Sequence, residues 1–234
     1  MVTSAPNSKS DVGSACLTTE WRYLAMLNYE IEPAVLMPFV PKGTELDSWN
    51  GETFVSVVGF LFLNTRVMGW SIPFHQNFEE INLRFYVRRN ADDGWRRGVV
   101  FIKEIVPRAA IALTARWLYH ENYVALPTGN LIQRSAINPS DIESARYFWR
   151  FGTRENFIEF VTRDTPNHFV EESEEELIAQ HYWGYSAQRN GGTVEYRVEH
   201  QPWRIWRLQS CRLQCDVEGL YGKQFAQFLS VNPS

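Results

Sequence analysis

Lysine is scarce in this chain. Of its 23 basic residues only Lys9, Lys42, Lys103 and Lys223 are lysines, and arginine supplies the rest. Chemistry that needs an amine nucleophile has few places to reside, whereas the planar, permanently charged guanidinium suits recognition of carboxylate or phosphate; a compositional bias of the genome would give the same ratio. Cysteine is scarcer still: Cys16, Cys211 and Cys215 are too few and too odd in number for a disulfide framework. The expectation is a reduced, cytoplasmic protein. No charged-then-apolar leader opens the sequence. The oiliest run, Phe54 to Leu63, is interrupted by Ser56 and Gly59 and falls far short of the ~20 residues of a spanning helix, so it reads as a buried strand and not as a membrane segment. The formal net charge is −4 and the bases are scattered, which disfavours a nucleic-acid partner. A glycine-rich phosphate loop, a Gly-x-Ser-x-Gly elbow and a paired-metal motif are all absent, leaving kinase and hydrolase readings without support.

What is abundant is aromatic and apolar. The 234 residues are 44% hydrophobic and include nine Trp, ten Tyr and fifteen Phe, enough to build one well-buried domain. Residues 1–15 have almost nothing to bury and read as a loose tail; residues 16–234 are expected to form a single domain. Trp21 to Tyr29 reads as a strand. Ile31 to Leu36 reads as a short helix with Pro33 in its first turn, where a missing N–H costs nothing. Asn50-Gly51 between strand-like flanks is a hairpin signal, and Phe54 to Val67 follows as a central strand, apolar on both faces. Further strands are expected over the segment His75 to Tyr86, ended by a turn at Asn90 to Gly94, and over Gly98 to Val106. Arg108 to Tyr119 has helical spacing. Arg146 to Phe151 and Asn156 to Arg163 form a hairpin, Ser173-Glu174-Glu175-Glu176 is a capping box in which the acids serve capping and solubility, Trp183 to Arg189 and Thr193 to His200 form another hairpin, and Arg207 to Val217 a last strand. An antiparallel meander is the simplest topology.

The segment His75 to Tyr86 holds the most telling pattern. Ile81, Leu83, Phe85 and Val87 alternate as one apolar face, so Glu80, Asn82, Arg84, Tyr86 and Arg88 line the other. A closed sheet lined by carboxylate, amide, guanidinium and phenol is a small-molecule site; the same face left open is merely solvated. Around it stand Asn77, Glu79, Arg116, Tyr119, His120, His181 and Trp183 as candidate ligand-binding or acid/base groups. Lys103 shares strand parity with Val99, Phe101 and Ile105, which would desolvate it into an amine nucleophile, or leave it in a salt bridge with Glu79 or snorkelling at a rim. A turn at Asn190-Gly191 would set Tyr185 opposite Tyr196 and His181 opposite His200, a metal or acid/base hint. A catalytic zinc needs a third protein ligand that the sequence does not spell out, so ordinary hydrogen-bonded histidines are the plainer reading and no metal is assigned. Cys211 and Cys215 read as buried small residues.

Trp21-Arg22-Tyr23-Leu24-Ala25-Met26, Phe54 to Phe60, Phe74 to Arg84, His181-Tyr182-Trp183-Gly184-Tyr185 and Val198 to Trp203 resemble the uncharacterised bacterial YqjF-like family, over nearly all of the chain after the tail. By resemblance that family belongs with the acetoacetate decarboxylase-like superfamily. The implied fold is α+β, a cone-like antiparallel β-barrel with flanking helices around an interior pocket. The decarboxylases use a Schiff-base lysine within a Gly-x-Pro-Lys-Lys segment, and the similar place here, Ala115 to Tyr123, has no lysine. The arginine those enzymes carry ahead of the first helix is replaced, with Asn28 before Tyr29. Glu79 or Glu80, and Arg116, match the retained pocket residues, so Schiff-base decarboxylation is not expected even where the pocket survives. The resulting expectation is a pocket that binds a small carboxylate-bearing organic molecule without any cofactor. Arg84 and Arg116 orient the ligand, Glu80 or His181 serves as the acid/base group, and Asn77, Glu79, Tyr86, Tyr119, His120 and Trp183 contribute to the walls. An enzyme using Glu80 or a histidine on a small organic acid is the second reading, and a non-catalytic protein with an internal salt-bridge network the third. Whether the chain forms a homo-oligomer is left open.

Overall fold

The computed structural model describes residues 17–67, 69–71, 76–109, 122–138, 141–163, 166, 173–179, 181–188, 190–198 and 205–233. The 1–15 tail, His200 and nearly all of the helix expected over 108–119 lie outside them. Most described residues are in strands: β1 (Leu17–Glu30), β2 (Glu45–Leu46), β3 (Phe54–Val67), β4 (Trp70–Ser71), β5 (Phe78–Ala91), β6 (Gly94–Val106), β7 (Tyr123–Ala125), β8 (Thr128–Arg134), β9 (Ile142–Phe151), β10 (Arg154–Thr162), β11 (Trp183–Ala187), β12 (Thr193–Arg197) and β13 (Leu208–Gln214). The helices are short: α1 (Pro33–Leu36), α2 (Glu174–Ala179), α3 (Val217–Tyr221) and α4 (Lys223–Ala226).

Two sheets form. The larger has nine strands in the order β1-β3-β5-β6-β11-β12, with β2, β4 and β7 on its flanks, and the smaller runs β13-β10-β9-β8. The pairings from β1 to β6 are antiparallel as expected, but β7 and β11 join β6 in parallel, so the sheet is mixed and not a pure meander. Among the described residues the strand path has two free ends and no barrel closure. β8 was not anticipated, because Thr128-Gly129-Asn130 gives no apolar alternation. At Asn50-Gly51 both residues have positive φ (52° and 89°), as a type I′ turn requires. The turn closes only a Trp49–Glu52 bridge, however, and β2 pairs with β5 instead.

The apolar face predicted for β5 packs against the smaller sheet. Ile81, Leu83, Phe85 and Val87 join Ala25, Leu27, Tyr29, Val55 and Val57 from β1 and β3 in one core with Tyr147, Trp149, Ile158 and Phe160 of the smaller sheet. Gly59 sits where this packing is tightest: a Cβ there would lie 2.8 Å from the Tyr147 ring. The opposite face of the large sheet is buried as well, and it holds a second cluster that includes Leu24, Met26, Phe60, Phe62, Phe78 and Tyr86.

Two β-bulges decide which residues reach that second face. In β1 the register shifts between Arg22 and Ala25, where Tyr23 has a φ of 56°, and the extra residue brings Leu24, Met26 and Asn28 onto the same side as Trp21. In β6, Leu83 pairs with Lys103 but Arg84 pairs with Phe101. Lys103 is thereby separated from Val99 and Phe101, whose face it shares by simple parity. It lies opposite Leu83 instead, and its Nζ donates to the Leu220 carbonyl of α3 beside the Tyr221 ring. Burial lowers its pKa, and this carbonyl and ring are its described contacts.

Candidate functional site

The polar face of β5 is buried. Glu80 is 2% exposed, Asn82 1%, Arg84 8% and Tyr86 2%. Strand register gives each a defined neighbour: Asn82 lies between Val58 of β3 and Glu104 of β6, Arg84 between Ser56 and Phe101, and Glu80 opposite Phe60. Asn28 of β1 pairs with Ser56, so Asn28, Ser56 and Arg84 form one row across three strands.

Hydrogen bonds join most of these groups. Asn82 Nδ2 donates to Glu80 Oε1 at 3.0 Å and the Tyr123 hydroxyl to Glu80 Oε2 at 3.4 Å. Ser56 Oγ donates to Asn28 Oδ1 at 2.8 Å and lies 2.6 Å from the Tyr86 hydroxyl. Asn28 Nδ2 in turn donates to Glu174 Oε1 of α2 at 2.8 Å. Ser173 caps α2 as the sequence suggests, accepting from the Glu176 amide, but Glu174 points into the polar face, which corrects the reading of the acidic run as mere capping and solubility.

Glu80 and Arg84 differ from their neighbours. Burial disfavours the charged carboxylate and pushes the Glu80 pKa up to about 7, while the bonds from Asn82 and Tyr123 and the Arg84 charge pull it down. Arg84 is a buried guanidinium that makes little use of its donors. Its Nη2 is 4.0 Å from the Met26 sulfur, its Cζ lies 5.9 Å from the Tyr86 ring centre, and its Nε has no hydrogen-bond partner. Guanidinium N–H donors held in low dielectric beside a thioether and an aromatic ring can pair with an anion. Asn82 Oδ1 is likewise buried without a partner.

His181 follows α2 and is buried against Tyr86, with ring centres 4.8 Å apart. Its Nε2 lies 3.1 Å from Asp47 Oδ2. Asp47 is fully enclosed and also receives Arg97 Nε at 3.3 Å and the Ser48 amide at 3.0 Å. Burial pushes the Asp47 carboxyl up, but His181, Arg97 and the Ser48 amide outweigh it and hold the group below its usual value.

Several expected site residues lie elsewhere. Glu79 faces the smaller sheet and accepts from Thr128 Oγ1 at 3.1 Å and Asn130 Nδ2 at 2.5 Å, so it ties the two sheets together; odd parity takes it away from Glu80. Asn77 is exposed and accepts from the Asn64 amide. Trp183 stands at the β6–β11 seam with Arg96 4.4 Å over its ring. In the β11–β12 hairpin Tyr185 pairs with Glu195, one residue off the register that would place His181 opposite His200. Arg116, Tyr119 and His120 lie outside the described residues. Among those described, no group of three or more His, Cys, Asp or Glu side chains is arranged to hold a metal ion. The residues that received no place at the site from the sequence are Asn28, Ser56, Glu104, Tyr123 and Asp47, and Glu174 was read only as a cap. Ser56, an interruption of an oily run, and Asn28, standing ahead of Tyr29 where the decarboxylases carry arginine, are the two that left a trace in the sequence.

The fold defined by these sheets is that of the acetoacetate decarboxylase-like proteins. The structure superposes on acetoacetate decarboxylase from Legionella pneumophila subsp. pneumophila str. Philadelphia 1 with a TM-score of 0.58 at 11% identity, covering 94% of this chain and 83% of that one. An acetoacetate decarboxylase-like enzyme from Sphingomonas wittichii RW1 gives 0.54 at 13% identity, over 92% and 86%. The enduracididine biosynthesis enzyme MppR complexed with pyruvate gives 0.50 at 10% identity, over 81% and 87%. In sequence, the uncharacterised protein YqjF of Bacillus subtilis (strain 168) is 25% identical over 196 residues, which is 81% of this chain and 75% of that protein. The chain belongs to the DUF2071 family of uncharacterised conserved proteins, which it matches over residues 18–234.

Proposed function

We propose that the buried polar face of β5 receives a small, carboxylate-bearing organic acid. Its carboxylate pairs with Arg84, and Glu80, protonated near neutral pH, donates to a second oxygen of the ligand. The observation that carries this reading is Arg84, enclosed yet with its Nε unpaired and its Nη2 set 4.0 Å from a sulfur. Buried N–H donors left unpaired are costly, and an incoming anion relieves them. Burial of both faces of β3 and β5 supports the further step that the large sheet curves into the cone-like barrel of the acetoacetate decarboxylase-like fold. Described cysteines that are free thiols support a cytoplasmic setting, and no described helix is long and apolar enough to cross a membrane.

Schiff-base decarboxylation is not part of the proposal, since Lys103 is turned to the Leu220 carbonyl on the other side of the sheet. Glu80 with its raised pKa favours one further reading, acid/base catalysis on the same bound acid. Thermal melts with propionate and with propionamide test the binding. Propionate should raise Tm with concentration, propionamide should not, and Arg84→Gln should weaken the propionate effect at least tenfold, as loss of a charge-assisted pair of ~1.5–3 kcal/mol implies. Equal shifts from both compounds would remove the carboxylate reading.

A further inference from the structure

Beyond Glu80 the same sheet face changes character. Phe78 precedes Glu80 by two residues on β5 and so shares its side, Phe60 lies opposite Glu80 on β3, and Phe62 lies opposite Phe78. Pairing of β1 with β3 sets Trp21 opposite Phe62. The four rings form one continuous wall: Trp21 to Phe60 5.3 Å, Trp21 to Phe62 6.1 Å, Phe60 to Phe62 4.9 Å and Phe62 to Phe78 4.8 Å between centres, all tilted or edge-on. Along β5 the face therefore runs from phenol and guanidinium through amide and carboxyl to rings. A strand advances about 3.3 Å per residue, so Glu80 and Phe78 are separated by only about 6.6 Å of rise.

We infer that this site takes a carboxylic acid with an aromatic or similarly bulky apolar tail, its carboxylate at Arg84 and its tail against Phe60 and Trp21. This rests on the carboxylate reading of Arg84 above. A ligand seated between Arg84 and Glu80 meets polar groups on the Arg84 side, where Ser56 is hydrogen-bonded to both Asn28 and Tyr86. A substituent extending past Glu80 meets the Phe60 ring instead. Apolar surface placed there is removed from water, and a short acid such as acetate leaves that gain unused. Trp21 is half-buried, so its ring edge is the part of the wall best able to adapt to tails of different length.

Calorimetric titration of the full chain with acetate, phenylacetate and phenylacetamide tests both layers separately. Phenylacetate should bind at least tenfold more tightly than acetate, and phenylacetamide at least tenfold more weakly than phenylacetate. In Phe60→Leu, which keeps an apolar side chain at the site, the ratio of phenylacetate to acetate affinity should fall severalfold. Equal affinities for acetate and phenylacetate would overturn the tail inference and leave the carboxylate site standing. Equal affinities for phenylacetate and phenylacetamide, or binding by none of the three, would overturn the carboxylate reading and this inference with it. An unchanged ratio in Phe60→Leu would place the tail elsewhere and contradict the assignment to this wall.

Discussion

Taking Glu80 out of water costs more for the ionised than for the neutral carboxyl, and that imbalance sets a pH dependence for folding. Unfolded, the group gives up its proton near 4.5; folded, it holds it to about 7. The folded state therefore binds more protons across this window. The contribution of Glu80 to stability is fully present below about pH 4.5 and declines as pH rises through 7, by on the order of 3 kcal/mol. Glu80→Gln should abolish this part of the profile: calorimetric melts at pH 5 and pH 8 should differ less for the variant than for the parent, and parallel profiles would mean that the carboxyl is not desolvated. Arg84 acts on the same proton in the opposite direction. Because the guanidinium lowers the Glu80 pKa, Arg84→Gln should move the titration midpoint of the Glu80 carboxyl, followed by carbon NMR, to higher pH. A midpoint that stays in place would separate the two side chains.

At the scale of elements, α2 is fastened across the polar face at both ends. Glu174 accepts from Asn28 at its start, Ile178 is buried in the second cluster, and His181 just beyond its end is held by Asp47. Asp47→Ala would leave His181 and Arg97 without their enclosed counter-ion, and removal of one partner of a buried pair typically costs ~3–5 kcal/mol. Hydrogen exchange should show the loss first in residues 174–179. Unchanged protection there would mean that Asp47 serves Arg97 of β6 alone. The strands themselves were legible in the sequence, since period-two alternation marks β5 and two-faced apolarity marks β3 at its observed bounds. That parity alone put Glu80, Arg84 and Tyr86 on one side, while their burial, left open by the sequence, comes from the packing of that face. Bulges were not legible: one extra residue in β6 moved Lys103 to the opposite face from Phe101, and no local residue type announces it. A one-residue difference in the turn displaced the β11–β12 register in the same way. Asn28, Ser56 and Tyr123 were missed because their roles come from cross-strand neighbours 28 to 43 residues away, which only register reveals.

For the whole molecule, the two sheets divide the labour. The smaller one closes the oily face of the larger, with Glu79 bridging between them, and frees the other face to carry charge. Lys103 belongs to the structural side, where it ties β6 to the chain end through Leu220. Borohydride treatment in the presence of a β-keto acid should therefore leave the protein unlabelled by mass spectrometry, and an adduct at Lys103 would restore the amine mechanism that its placement argues against. The central claim is that Arg84 is a buried guanidinium waiting for a carboxylate, and its own Nε–H reports on it most directly. In protein labelled with nitrogen-15 arginine, with the resonance assigned by its absence in Arg84→Gln, titration with propionate should shift the Arg84 Nε–H signal downfield and saturate. A signal that does not move, or that drifts linearly like those of exposed arginines, would contradict the account.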